Sequence, residues 1–99
     1  MHKIQFTKET LFDIEAAVLW YEEQRLGLSY DFELCLEAGI EEVLRDPDAF
    51  QKRYKQVKIR FISRFSFGIH YVIIENQITI IGLFHTSRSP KNWSKRLLF

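Results

Sequence analysis

The hydrophobic period of this chain changes once, at Pro47, and that switch limits the fold more than any other feature. Before Pro47, apolar residues recur every three or four positions: Leu11, Ile14, Val18 and Tyr21, then Phe32, Leu36, Ile40 and Val43. After it they recur every second position. Val57, Ile59 and Phe61 alternate with Lys58 and Arg60, and Phe65, Phe67, Ile69, Tyr71 and Ile73 form one face of a longer strand. Two amphipathic helices followed by strands make an α+β domain, in which a helical pair covers a sheet.

The boundaries are written in the punctuation. Lys3-Ile4-Gln5-Phe6 alternates and reads as a short first strand. Thr7 caps a helix expected from about Lys8 to Arg25, with Glu9 in the first turn where the helix dipole favours an acid. Gly27 supplies a left-handed residue to close it, and Leu28 the accompanying apolar contact. Ser29 is expected to cap the second helix, which Asp46-Pro47 ends because the residue before proline is pushed out of the α region. So short a link makes the helices antiparallel. A turn at Glu75-Asn76-Gln77 joins the long strand to Ile78–His85. Ser66, Gly68, His70, Val72 and Ile74 form the long strand's second face, so both faces of the last two strands should be covered. Ser89-Pro90 opens a short C-terminal helical turn carrying Trp93. The expectation is one domain over residues 1–99: an N-terminal strand, a helical hairpin on a twisted, mainly antiparallel sheet of about four strands, and a terminal turn.

Composition narrows the function classes. One cysteine, Cys35, leaves no intramolecular disulfide and fits a reducing, cytoplasmic setting. No apolar run approaches the roughly 18 residues of a membrane span, and the first residues lack a signal peptide's apolar core. Three scattered histidines and one cysteine give no metal-ligand spacing, and no cofactor motif is present. The net charge of +1 hides an asymmetry. Residues 1–47 carry eleven Asp/Glu against four Lys/Arg, and residues 48–99 carry two against ten. Either the halves attract each other in the fold, or the second half meets an anionic partner, nucleic acid or acidic protein.

Chemistry-bearing residues concentrate in the second half. Lys58 and Arg60 share one strand face. Arg64 precedes the long strand, and His85 ends the last one, with Arg88, Trp93 and Arg96 following. Guanidinium groups on one surface suit phosphate or carboxylate, since each offers a planar two-pronged donor. His85 fits either proton transfer or a plain bond to a loop carbonyl. Arg88 could touch a partner or pin the terminal turn, Trp93 could anchor a partner or lid the sheet, and Cys35, Trp20 and Tyr21 read as core.

Certain of these residues resemble the RelE/ParE superfamily of type II toxins. They are Trp20-Tyr21-Glu22 in the first helix, Gly27-Leu28 before the Phe32-bearing second helix, and Pro47 after it. Arg64-Phe65-Ser66-Phe67-Gly68-Ile69-His70-Tyr71 resembles the family's Arg-Phe-Pro-Tyr strand, with Ser66 where many relatives have proline. His85-x-x-Arg88-x-Pro90-x-x-Trp93-x-x-Arg96 resembles its closing motif. The resemblance spans nearly the whole chain. It implies a growth-inhibiting toxin neutralised by a cognate antitoxin, without metal or cofactor, on one of two targets. A ParE-like inhibitor of DNA gyrase would bind through Lys58, Arg60, Arg64, Arg88, Trp93 and Arg96. A RelE-like, metal-independent endoribonuclease cutting mRNA on the ribosome would place His85, Arg64 and Arg88 at the scissile phosphate. The residues favour the gyrase branch, because carboxylates are scarce in the second half and the last tyrosine is Tyr71. A non-toxic antitoxin-binding module is the third alternative.

Overall fold

β1 (Lys3–Phe6) leads into α1 (Lys8–Gln24) and α2 (Leu28–Arg45), followed by a single 3-10 turn (Pro47–Ala49) and four strands: β2 (Lys52–Tyr54), β3 (Val57–Phe61), β4 (Phe67–Ile74) and β5 (Gln77–His85). The structure is a computed structural model and describes residues 3–87 of the 99. The C-terminal turn expected at Ser89-Pro90 lies outside the described residues, as do Arg88, Trp93 and Arg96.

The strands form one sheet in the order β1-β5-β4-β3-β2, all neighbours antiparallel except β1, which runs parallel to β5. The sheet has five strands rather than four, because Lys52-Arg53-Tyr54 adds an edge strand too short and too polar to show as an alternating run. β4 begins two residues later than the Phe65 alternation suggests, after a loop in which Arg64 adopts a positive φ of 71°. The hairpin between β4 and β5 turns at Glu75, with φ 56°, and Asn76.

Thr7 caps α1 as its sequence position requires: its hydroxyl accepts the Thr10 N–H at 3.2 Å. The second cap differs from expectation. Gly27, left-handed at φ 88°, directly precedes α2, so the helix begins at Leu28 and Ser29 lies inside it. The anion that closes this N-terminus is Glu22, reaching over from α1. Its carboxylate accepts the Gly27 N–H at 2.9 Å, the Ser29 N–H at 3.3 Å and the Ser29 hydroxyl at 2.7 Å. These bonds hold its pKa below the ordinary carboxylate value, the Gly27 N–H contributing most.

The helices cover one sheet face. Beneath them lie Ile69, Tyr71, Ile78, Ile80 and Leu83 from the sheet, and Ala17, Tyr21, Phe32, Leu36 and Val43 from the helices, all buried. Gly39 permits the approach, since a Cβ there would stand 3.0 Å from Ile69 Cδ1. Tyr71 donates its hydroxyl to the Pro47 carbonyl at 2.7 Å, and burial, with Asp48 and Asp46 nearby, pushes that phenol's pKa up. On the opposite face Val57, Val72 and Ile81 form a smaller buried cluster beside Tyr54. His70, 1% exposed, is held there by the Tyr54 hydroxyl at 2.9 Å and by the edge of the Phe84 ring. Both faces of β4 and β5 are therefore buried, as their composition indicates.

Candidate functional site

The structure divides the nominated basic residues into two groups. Register decides the first. Lys58 pairs with Tyr71 and Arg60 with Ile69, so both cations lie on the face the helices cover. Arg60 makes an ion pair with Glu42 of α2 at 2.7 Å, a second contact at 2.8 Å through its Nε, and stacks over the Phe50 ring at 5.5 Å. Lys58 donates to the Phe50 carbonyl at 2.7 Å. These two residues do not form an open anion-binding surface. They satisfy acidic and carbonyl groups of their own chain, which is the self-attraction that the charge asymmetry left open.

Arg64 and His85 form the second group. Pairing of Phe67 with His85, and the Thr86 N–H to Ser66 carbonyl bond at 2.8 Å, bring the β3–β4 loop beside the end of β5. Arg64 is exposed on that loop, its guanidinium 5.8 Å from the Phe65 ring centroid. Among the described residues no carboxylate lies within ion-pair distance of it.

An aromatic cluster holds this end of the sheet to the helices. Tyr21 and Phe32 meet Phe65 and Phe67 with ring centroids 4.9 to 6.0 Å apart, mostly edge to face. The neighbouring cleft arises because β1 is short. It pairs with β5 only as far as Ile80, so α1 covers the rest of that edge, and Asp13 accepts the Leu83 N–H at 3.1 Å. Between α1 and the sheet opens a cavity of about 360 Å³, lined by Asp13, Ala16, Ala17 and Trp20 on one side and Phe67, Leu83 and His85 on the other. A size of this order suits an anchoring side chain or small group. A second concavity of about 440 Å³, at the opposite end of the sheet around Lys3, Gln5 and Glu75–Gln77, gathers none of the nominated residues.

The His85 ring is oriented locally. Its Nδ1 accepts the Ser87 N–H at 3.1 Å and lies 2.7 Å from the Ser87 hydroxyl, while the ring meets Phe67 edge to face at 5.3 Å. A nitrogen that accepts a backbone N–H carries no proton, so in the neutral ring the hydrogen sits on Nε2. The outward nitrogen can then donate a hydrogen bond but has no lone pair with which to take a proton from a ribose hydroxyl. Among the described residues no group of three His, Cys, Asp or Glu is placed to hold a metal ion, and no helix is long and apolar enough to cross a membrane.

Trp20 departs from its reading as core. It is 55% exposed and forms the cleft wall, whereas Tyr21 is buried. One helical step of 100° separates the two, and Trp20 falls with Phe12, Ala16 and Leu19 instead of with Ala17 and Tyr21. The roles of Asp13 and Glu42 had no local signal, because both depend on strands remote in sequence.

No protein-family model and no curated protein matches the chain. Among solved structures, a chain of the chromosomal ParDE TA system from P. aeruginosa superposes with a TM-score of 0.77 at 12% identity, over 88% of this chain and 98% of that one. At that identity the similarity establishes a shared fold, which is the α+β fold that the RelE/ParE resemblance implies.

Proposed function

We propose that this chain is the toxin of a type II toxin–antitoxin pair and that it acts by binding a macromolecular target, DNA gyrase, rather than by cutting RNA. The observation that carries the reading is near-complete structural coverage of a ParDE chain by a sequence whose own motifs resemble the RelE/ParE superfamily. The scarcity of carboxylates in the second half and Tyr71 as the last tyrosine favour the inhibitor branch. Of the residues nominated for it, Lys58 and Arg60 are held by the Phe50 carbonyl and Glu42, which leaves Arg64 as the exposed cation among the described residues of that set. The acting surface in this reading is the end of the sheet that carries Arg64, His85 and the Trp20 cleft. Arg88, Trp93 and Arg96 extend it on sequence grounds alone. A cognate antitoxin would silence the toxin by covering this surface.

Two assays separate the branches. Purified chain should inhibit gyrase supercoiling and trap cleaved DNA, leaving ribosome-bound mRNA intact. Codon-phased cuts in that mRNA, lost in His85→Ala, would transfer the chain to the ribonuclease branch. Activity in neither assay, together with unimpaired bacterial growth on expression of soluble protein, would remove the toxin reading.

A further inference from the structure

The outer face of α1 is apolar where solvent should select polar residues. Phe12, Leu19 and Trp20 are 59%, 57% and 55% exposed. With Ala16 they follow the i, i+4, i+7, i+8 spacing of a helix stripe, on the side away from buried Ala17 and Tyr21. The helix is therefore amphipathic twice over, with one stripe spent on the sheet and one open. Ala16 lets a neighbouring backbone approach, and the larger side chains stand around it. The flanks are acidic: α1 carries Glu9, Asp13, Glu15, Glu22 and Glu23 against one cation, Lys8. Glu9, Glu15 and Glu23 are exposed, and none pairs with a described cation.

We propose that this face docks a cationic amphipathic helix of a partner protein, its apolar side seated on Phe12, Ala16, Leu19 and Trp20 and its lysines or arginines reaching Glu15 and Glu23. Charge decides the occupant. A second copy would bring two acidic helices together, and nucleic acid or an anionic lipid surface would meet the same repulsion. Helix-in-groove recognition through spaced apolar anchors supplies the affinity, and the acidic rim supplies selectivity. The face adjoins the proposed acting surface, sharing Ala16 and Trp20 with its cleft, and the test therefore uses Phe12 and Leu19, which do not line that cleft, on the purified chain whatever its target.

The probe is a fluorescein-labelled synthetic amphipathic peptide of about 18 residues with a leucine stripe and lysine flanks, compared with a scrambled version and one with glutamates for lysines. Anisotropy titration of the full chain at near-physiological salt should show binding of the lysine peptide, and of the other two at least about tenfold more weakly. Phe12→Ser and Leu19→Ser should each weaken binding by about tenfold, as should the pair Glu15→Lys and Glu23→Lys, with circular dichroism unchanged because all four side chains are exposed. Absence of binding, equal binding of the scrambled peptide, or indifference to both serine variants overturns the proposal. So does concentration-dependent self-association of the chain that Leu19→Ser abolishes, which would assign the face to a second copy.

Discussion

Two pairs of nominated residues, one on β3 and one where the β3–β4 loop meets the end of β5, are treated oppositely by the fold. Lys58 and Arg60 are drawn under the helices, where Glu42 and the Phe50 carbonyl complete their hydrogen bonding. Arg64 and His85 stand at the end of the sheet beside a cleft. Positive charge alone therefore does not mark a binding surface. The first pair is engaged within the fold and the second is left accessible, which is why recognition is proposed there; the difference is set by which sheet face the helices choose.

The largest effect should come from the cluster that builds the second region. Phe32 is fully buried among Tyr21, Phe65 and Phe67, so Phe32→Ala should cost about 3–5 kcal/mol by chemical denaturation. It should also loosen the helical hairpin from the Arg64 end. A loss under about 1 kcal/mol would mean the rings are not packed as described. Next, Arg60→Ala removes the ion pair to the half-exposed Glu42 and the packing of the Arg60 stem against Phe50, and should cost about 0.5–1 kcal/mol. The activity of the protein that remains folded should be retained, which separates Arg60 from the acting surface. Arg64→Ala should do the reverse, changing stability by less than about 0.5 kcal/mol while weakening target binding.

The smallest effect is one of pH. Glu22 has a lowered pKa in the folded chain, so the stability it contributes is present above its ordinary value of 4.5 and is lost as pH falls through the lowered folded value. Glu22→Gln should therefore flatten the fall of the melting temperature in acid while leaving its other features unchanged. Parallel curves for the two proteins would show that the bonds to Gly27 and Ser29 contribute nothing in solution.

Much of this architecture can be read from residues. Thr7, Pro47 and the two periodicities place β1, both helices and the three longer strands, because caps and alternation are local physics. What escaped was non-local. β2 has three residues and no pattern. Glu22 outcompetes Ser29 for the second helix N-terminus because α1 brings a full carboxylate to it. Alternation correctly puts Lys58 and Arg60 on one face, but it cannot say which face is covered, since that depends on Tyr71 and Ile69 lying opposite them. Of the site, Arg64 and His85 were visible as residues. Their convergence, and the cleft formed with Trp20 and Asp13, required the sheet.

The most direct test of the account compares the two basic regions in living cells. Each variant is induced to equal soluble levels in bacteria, and growth is followed. The account predicts arrest by the native chain and by Arg60→Ala, and escape by Arg64→Ala. Arrest by Arg64→Ala with escape by an equally soluble Arg60→Ala would contradict it.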